Sequence, residues 1–477
     1  NKQFDRPYYS KYDPGLPLLA VPFYVIGDWI AEINAAHRYH VAALAVLLLP
    51  VIAAALAVVG VARLVGALSP EVETVRPGQS KACKGARCNR TQVITILAAG
   101  LATPLWVYAR TLFAETILAA ALTWAVVIIC RSSPHPPAPS PFDGEGESSR
   151  ECNIPSLLTG RGLGGEVFAG IVFGIGILTR AAFAIYLPAL IWLIVRSHPA
   201  QRWRDRAIRL VVFGAGIAPF AALLLWHNAY RFGDPLQFGY EEEGFTTPVW
   251  EGVVGLLISP GKSVFLYAPP LILSVILWPR FRRVYPALGA FLAVAWGSAL
   301  VFYGAWWAWH GGWCWGPRFL VPLLPLSCLP FVTRFVGEHR CVLPVAQSST
   351  TQIPGFVMQG GPIDPPLQQQ LAIWLLIFGL VIQLLGVLTD VTPHYAALTT
   401  PDGSTDYAAL HIDPREAGIG YAARQVIAGH TEPRALLHLN DTGLPPSWTW
   451  GVPVLCVIGL LWSGWRLLLF TNDCESG

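Results

Sequence analysis

Long apolar runs, separated by short polar or proline-rich stretches, set the pattern of this chain. Runs that can cross roughly 30 Å of hydrocarbon as helices lie at 41–62, 92–109, 112–130, 166–180, 182–195, 208–227, 264–278, 285–303, 319–334, 371–389 and 451–469. Several are short. The pair meeting at Thr179-Arg180 reads equally as one long helix broken at that polar dipeptide. The ten-residue alternation of an outer-membrane barrel is absent, so helices must satisfy the backbone within lipid. The pattern predicts an all-α polytopic membrane protein with about eleven transmembrane helices.

Composition agrees. A chain of 477 residues that is 54% hydrophobic and 13% charged, with a mean hydropathy of +0.49, is not an ordinary soluble globule. Alternating the helices across a bilayer puts the larger share of the lysines and arginines on one side, around Arg63 to Arg90, Arg131 to Arg161 and Arg196 to Arg209. That side is expected to be cytoplasmic, in a multi-pass inner-membrane protein. The net charge of +3 is then a topological bias and gives no reason to invoke nucleic acid. Of nine cysteines, only Cys314 falls outside helices and cytoplasmic segments, so no disulfide framework is expected. Cys83 and Cys88 have no second pair to complete a zinc site and read as a free, reduced pair.

The chain divides into residues 1–40, an external loop with an interfacial helix near Pro14 to Ile30; 41–334, the main transmembrane module; 335–370, a cytoplasmic connector; and 371–477, C-terminal helices carrying an external loop at 390–449. Within the module, 131–165 contains Ser133-Pro134-His135-Pro136-Pro137 and reads as a disordered cytoplasmic insertion. The external loop of the last part carries acids and histidines, including His411 and Glu416, without metal-ligand spacing, and reads as a small solvated subdomain. No transporter-type internal repeat is visible.

The cations expected outside are the informative ones. Lys11, Arg110, Arg180, Arg231, Lys262 and Arg318 all sit at or beside helix ends or turns. An ionisable group at membrane depth costs on the order of 3 kcal/mol, so it normally faces a cavity, a partner or the headgroups. Lys11 and Tyr12 lie in an aromatic stretch before a turn. Lys262 follows Ser259-Pro260-Gly261 at a helix start, a plausible anion-binding end. Arg318 follows Gly316-Pro317 and offers a planar fork to a phosphate. Glu115 heads a helix, where its charge complements the dipole; a salt bridge to Arg110 is the plain structural alternative. Tyr240 precedes the acidic triplet Glu241-Glu242-Glu243. Trp307 and His310 belong to a run from Trp306 to Trp315 whose five tryptophans exceed what membrane anchoring needs and suit a pocket wall for sugar rings or cations.

Three segments, taken in order, resemble the polyprenyl-phosphate-sugar-dependent glycosyltransferases of the GT-C class, the protein O-mannosyltransferase-like integral membrane enzymes and their relative that adds aminoarabinose to lipid A. They are Tyr9-Ser10-Lys11-Tyr12-Asp13-Pro14-Gly15, Thr103 to Glu115, and Gly176-Ile177-Leu178-Thr179-Arg180. Ser259-Pro260-Gly261-Lys262 and Gly311 to Arg318 look similar to bacterial members. The resemblance implies an acidic residue near the active site at Glu115 and a phosphate-contacting lysine at Lys11. The family's presumed base, an aspartate early in the first external loop, has no counterpart; Asp5 and Asp13 do not match it. The resemblance therefore implies that a piece precedes Asn1 and that this chain alone is inactive or crippled.

The implied chemistry is inverting transfer of a sugar from a polyprenyl-phosphate carrier to an acceptor hydroxyl outside the membrane. A carboxylate takes the acceptor proton, and Lys11, Lys262 or Arg318, with a divalent metal as a further candidate, stabilises the departing phosphate. A lipid flippase or transporter, and a non-catalytic membrane subunit that binds a polyprenyl lipid, are the competing readings.

Overall fold

The computed structural model describes residues 12–32, 38–68, 90–132, 163–197, 202–240, 243–334, 365–399 and 407–431. These are helical, with no β-strand among the described residues. The helices are α1 Gly15–Ala31, α2 Arg38–Val46, α3 Leu48–Leu68, α4 Arg90–Leu101, α5 Leu105–Tyr108, α6 Glu115–Ser132, α7 Leu163–Thr179, α8 Leu187–Arg196, α9 Trp203–Phe232, α10 Val249–Ile258, α11 Val264–Tyr267, α12 Pro270–Val284, α13 Pro286–Ala305, α14 Leu324–Ser327, α15 Pro365–Leu388, α16 Thr392–Ala397, α17 Tyr407–Ile412 and α18 Gly418–Ile427. The run at 451–469, the Cys83–Cys88 pair and most of the two segments expected to be cytoplasmic lie outside the described residues.

Among the described residues, four helical stretches are long and apolar enough to cross a membrane by themselves: Tyr39–Leu68 (α2 running into α3), Trp203–Phe232, Pro286–Ala305 and Gln370–Leu388. The expectation of about eleven regular spans is thus only partly met, and proline explains several of the shortfalls. The run at 92–109 is cut before Pro104, and 264–278 is cut at Pro269 into α11 and α12. Residues 319–334, expected as one helix, are instead two 3-10 turns on either side of α14, carrying Pro322, Pro325 and Pro330. The break expected at Thr179-Arg180 is present: α7 ends at Thr179, Arg180 is extended (φ −156°, ψ 115°), and a 3-10 turn over Ala181–Tyr186 leads into α8. The segment expected as an interfacial helix forms α1, which leaves Val21, Tyr24, Val25, Ile26 and Trp29 exposed.

Small residues let the helices cross closely. A Cβ on Gly170 of α7 would sit 2.1 Å from the Phe213 carbonyl of α9, and one on Gly216 of α9 would sit 2.3 Å from that of Val167. Gly252 of α10 meets Gly304 of α13 in the same way. The α7–α9 contact is locked by Arg209 on Glu166, whose carboxylate is fully buried. The proline-broken segment runs through the centre, with every residue from Phe319 to Thr333 buried among α3, α4, α6, α12 and α13.

Breaking a buried ion pair costs about 3–5 kcal/mol because the surviving charge is stranded. Glu166→Gln is expected to destabilise the protein by that order in detergent thermal melts, with Arg209→Met in the same chain recovering most of the loss. An unchanged melting temperature for the single variant would remove the pair from the list of stabilising contacts.

Candidate functional site

Glu115 is the first residue of α6 and is 1% exposed. Its Oε1 accepts a hydrogen bond from Arg180 Nη1 at 2.9 Å and lies 3.0 Å from Arg318 Nε. Its partner is therefore not the nearby Arg110 but two arginines from distant helix breaks. Glu115 Oε2 has no hydrogen-bond donor from the described residues, although buried carboxylate oxygens normally have one. Both guanidiniums flank the Phe319 ring, at 5.2 Å for Arg180 and 5.1 Å for Arg318, and Arg318 also lies 5.0 Å from Phe113. Tyr303 of α13 stacks on Phe319 at 4.6 Å, so aromatic rings fix the planes of both cations. The arginine side chains keep 19% and 17% of their surface, an open path that the carboxylate lacks.

Tyr240 joins this centre through its electrostatic contact with Arg180 and packs edge-on against Trp306. Arg231, at the end of α9, donates to the Tyr12 carbonyl at 2.9 Å and to Asn228 Oδ1 at 2.8 Å. Asp13 lies between Arg231 and Arg180, and burial raises its carboxyl above the ordinary 3.8 despite the opposing Ala181 amide and these two cations. Two carboxylates, Glu115 and Asp13, thus face three guanidiniums, and the centre keeps a surplus of positive charge.

Two expected ligands of an anion have other tasks. Lys262 is fully buried, and its ammonium donates to Gly312 O (3.2 Å), Cys314 O (2.9 Å) and Cys314 Sγ (3.3 Å). Those three acceptors use all the donors of an ammonium, so Lys262 holds the Gly312–Cys314 loop in place of presenting charge outward. Burial lowers its pKa, with Cys314 opposing and Arg318 reinforcing the shift. Gly311 and Gly312 make this loop possible by adopting φ of 76° and 75°. Arg110 turns away from Glu115 and caps the end of α15, donating to Val387 O at 2.6 Å, Thr389 O at 2.9 Å and Gly386 O. A cation at a helix C-terminus meets the orphan carbonyls there.

The tryptophan run is not a single wall. Trp307 is exposed and donates to Glu243 Oε2 at 3.3 Å on the rim. Trp313 is also exposed, whereas Trp315 is buried against Tyr267 and Gly386. Trp309 packs with His310, and both contact His411 of α17, with the Tyr407 ring 4.0 Å from that of His310. His310 Nδ1 accepts from the Gly312 amide at 3.0 Å. The described part of the loop after α15, expected as a small solvated subdomain, therefore packs on the rest of the fold. Its α16 and α17 pack over the Lys262 turn, with Tyr395 donating to Cys314 O at 3.3 Å and Gly261 abutting the His411 backbone.

Lys11, Glu241 and Glu242 lie outside the described residues. Among the described residues, no three His, Cys, Asp or Glu side chains come together to hold a metal ion. An apolar cleft of about 380 Å³ runs along α13 past Leu292, Trp296 and Leu300, with Phe265, Trp278 and Pro330 opposite. Leu300 is one helical turn from Tyr303, and no residue of the arginine centre lines the cleft itself. Phe319, Tyr303 and Asp13 carry no site signal of their own in the sequence; only the adjacency of Phe319 to Arg318 hints at one. Searches against family models, curated proteins and solved structures find no match to this chain.

Burial, followed by Lys262 and Arg318, holds His310 at about 3, and burial with Lys262 and His310 holds His411 at about 2, against an ordinary 6.5. Both are depressed on folding, so the unfolded chain binds these protons first. Their contribution to stability is complete above pH 6.5 and is lost as pH falls toward 3. Melting temperature is expected to drop across that window, and a His310→Gln, His411→Gln double variant to drop less; equal slopes would show that these rings do not titrate on unfolding.

Proposed function

We propose that this chain is a membrane glycosyltransferase that moves a sugar from a polyprenyl-phosphate carrier to an acceptor hydroxyl on the external face of the cytoplasmic membrane, with inversion. The observation that carries the reading is the pairing of one buried carboxylate, Glu115, with two partly open arginines, Arg180 and Arg318. A surplus of fixed cationic donors at a helix break suits a phosphate whose charge grows as its sugar departs. The cleft along α13 supports the same reading, because its apolar lining suits an isoprenoid tail and Leu300 in its wall is one helical turn from Tyr303. On this reading the fold is GT-C-like, and the shorter apolar helices supply the further crossings, about eleven in all.

The first test is binding. The 477-residue chain in lipid nanodiscs is expected to bind undecaprenyl phosphate at least about tenfold more tightly than undecaprenol, since charge-assisted hydrogen bonds contribute about 1.5–3 kcal/mol each. Arg180→Ala and Arg318→Ala are each expected to erase most of that difference. Glu115→Gln and Lys11→Ala are expected to reduce sugar release from a polyprenyl-phosphate sugar strongly in a chain competent for turnover. Equal affinity for phosphate and alcohol would overturn the reading. Phosphate-selective binding with translocation but no sugar release would favour a flippase.

A further inference from the structure

Arg180 reaches Glu115 from a single extended residue between two helical segments, a place where a long side chain has no helix of its own to hold it. Its backbone is instead tied from outside. The Ala181 amide begins a 3-10 turn and lacks an internal acceptor, and Asp13 Oδ2 accepts from it at 2.7 Å across 168 positions of sequence. Two residues on, Gly15 starts α1 against the same strand of backbone. A Cβ there would fall 2.4 Å from the Thr179 nitrogen and 2.6 Å from the Leu178 oxygen. One residue before Asp13, the Tyr12 carbonyl is held by Arg231 at 2.9 Å, itself braced by Asn228 of the same helix. Three ties from the start of α1 and the end of α9 therefore bracket Arg180 on both sides.

We propose that Tyr12–Gly15 is a clasp that sets Arg180 on Glu115, with Asp13 as its positioning residue. The functional half of this proposal rests on the lipid-phosphate reading above; the structural half does not. A phosphate arriving at the centre competes with Glu115 for Arg180. A guanidinium on a loose extended residue would follow the phosphate out, whereas a fixed backbone keeps it near both anions. Asp13 supplies the fixation through its hydrogen bond and a second negative charge beside Arg180.

The test reads Arg180 directly. In the 477-residue chain in detergent without added lipid, the rate of Arg180 modification by phenylglyoxal is followed by peptide mass spectrometry. Asp13→Ala is expected to raise that rate about tenfold, the scale on which misplacement of a site group is felt. Asp13→Asn, which keeps an oxygen for the Ala181 amide, is expected to recover part of the restraint. Gly15→Ala, which drives the backbones apart, is expected to act in the same direction as Asp13→Ala. Combining Asp13→Ala with Glu115→Gln is expected to give less than the product of the two single effects, since both act on one side chain. In nanodiscs, Asp13→Ala is expected to weaken undecaprenyl phosphate about tenfold and leave undecaprenol unchanged.

A modification rate in Asp13→Ala and Gly15→Ala equal to the original, in chains whose melting temperature shows them folded, overturns the clasp, and so does a multiplicative double variant. If the rates behave as expected while the original chain binds phosphate and alcohol alike, the clasp stands and the lipid-phosphate reading falls. If the original chain selects phosphate and Asp13→Ala selects it equally well, the lipid-phosphate reading stands and the assigned role of Asp13 falls.

Discussion

Burying the Glu115 carboxylate at the head of α6 obliges the chain to bring cations to it, because an unpaired charge in an apolar interior costs far more than a helix interruption. Two such interruptions answer it. One is the extended residue Arg180 after α7, and the other is the turn at Gly316-Pro317 that releases Arg318. Neither arginine could reach Oε1 from the middle of a regular helix without displacing packed neighbours. The aromatic floor of Phe319, Tyr303 and Phe113 follows from the same demand, since it orients two guanidiniums that would otherwise repel each other. This end of the bundle is thus arranged around one side chain.

Much of this is legible residue by residue. Glu115, Arg180 and Arg318 stand out as ionisable groups beside apolar runs, and the polar pair Thr179-Arg180 announces its own break. Pairing is not legible. Arg110 is the nearest cation in sequence to Glu115, yet Arg180, 65 positions away, takes the bond. Periodicity records which face of a helix is apolar and says nothing about which helix ends meet. The same limit explains Lys262: a cation after Ser-Pro-Gly reads as an anion site, and only the fold shows that the Gly312–Cys314 carbonyls already occupy it. For 319–334 the hydropathy is informative about burial and the prolines are the better guide to conformation.

The loop after α15 changes role once its packing is known. As a sequence it is polar, with acids and histidines that read as solvated. In the fold its buried Tyr395, Leu410 and His411 press on Trp309, Trp315 and the Lys262 turn. Two rings with lowered pKa, His310 and His411, sit beside a buried ammonium because burial disfavours their charged forms first, with repulsion from Lys262 and, at His310, from Arg318 adding to it. The described part of this loop is therefore held on the Lys262 turn by ring contacts and carbonyl acceptors, while the Glu416–Arg424 pair is internal to it.

The segment from Phe319 to Thr333 bears on how such a molecule is assembled. Its 3-10 turns leave carbonyls that hydrocarbon could not solvate, and polar side chains are met locally, by Ser327 on Leu323, Thr333 on Pro330 and the Trp296 indole on Ser327. A stretch of this kind has no stable existence facing lipid by itself. The helices α3, α4, α6, α12 and α13, all earlier in the chain, supply the protein surface that encloses it, so a stretch unfit for lipid is shielded by elements made before it.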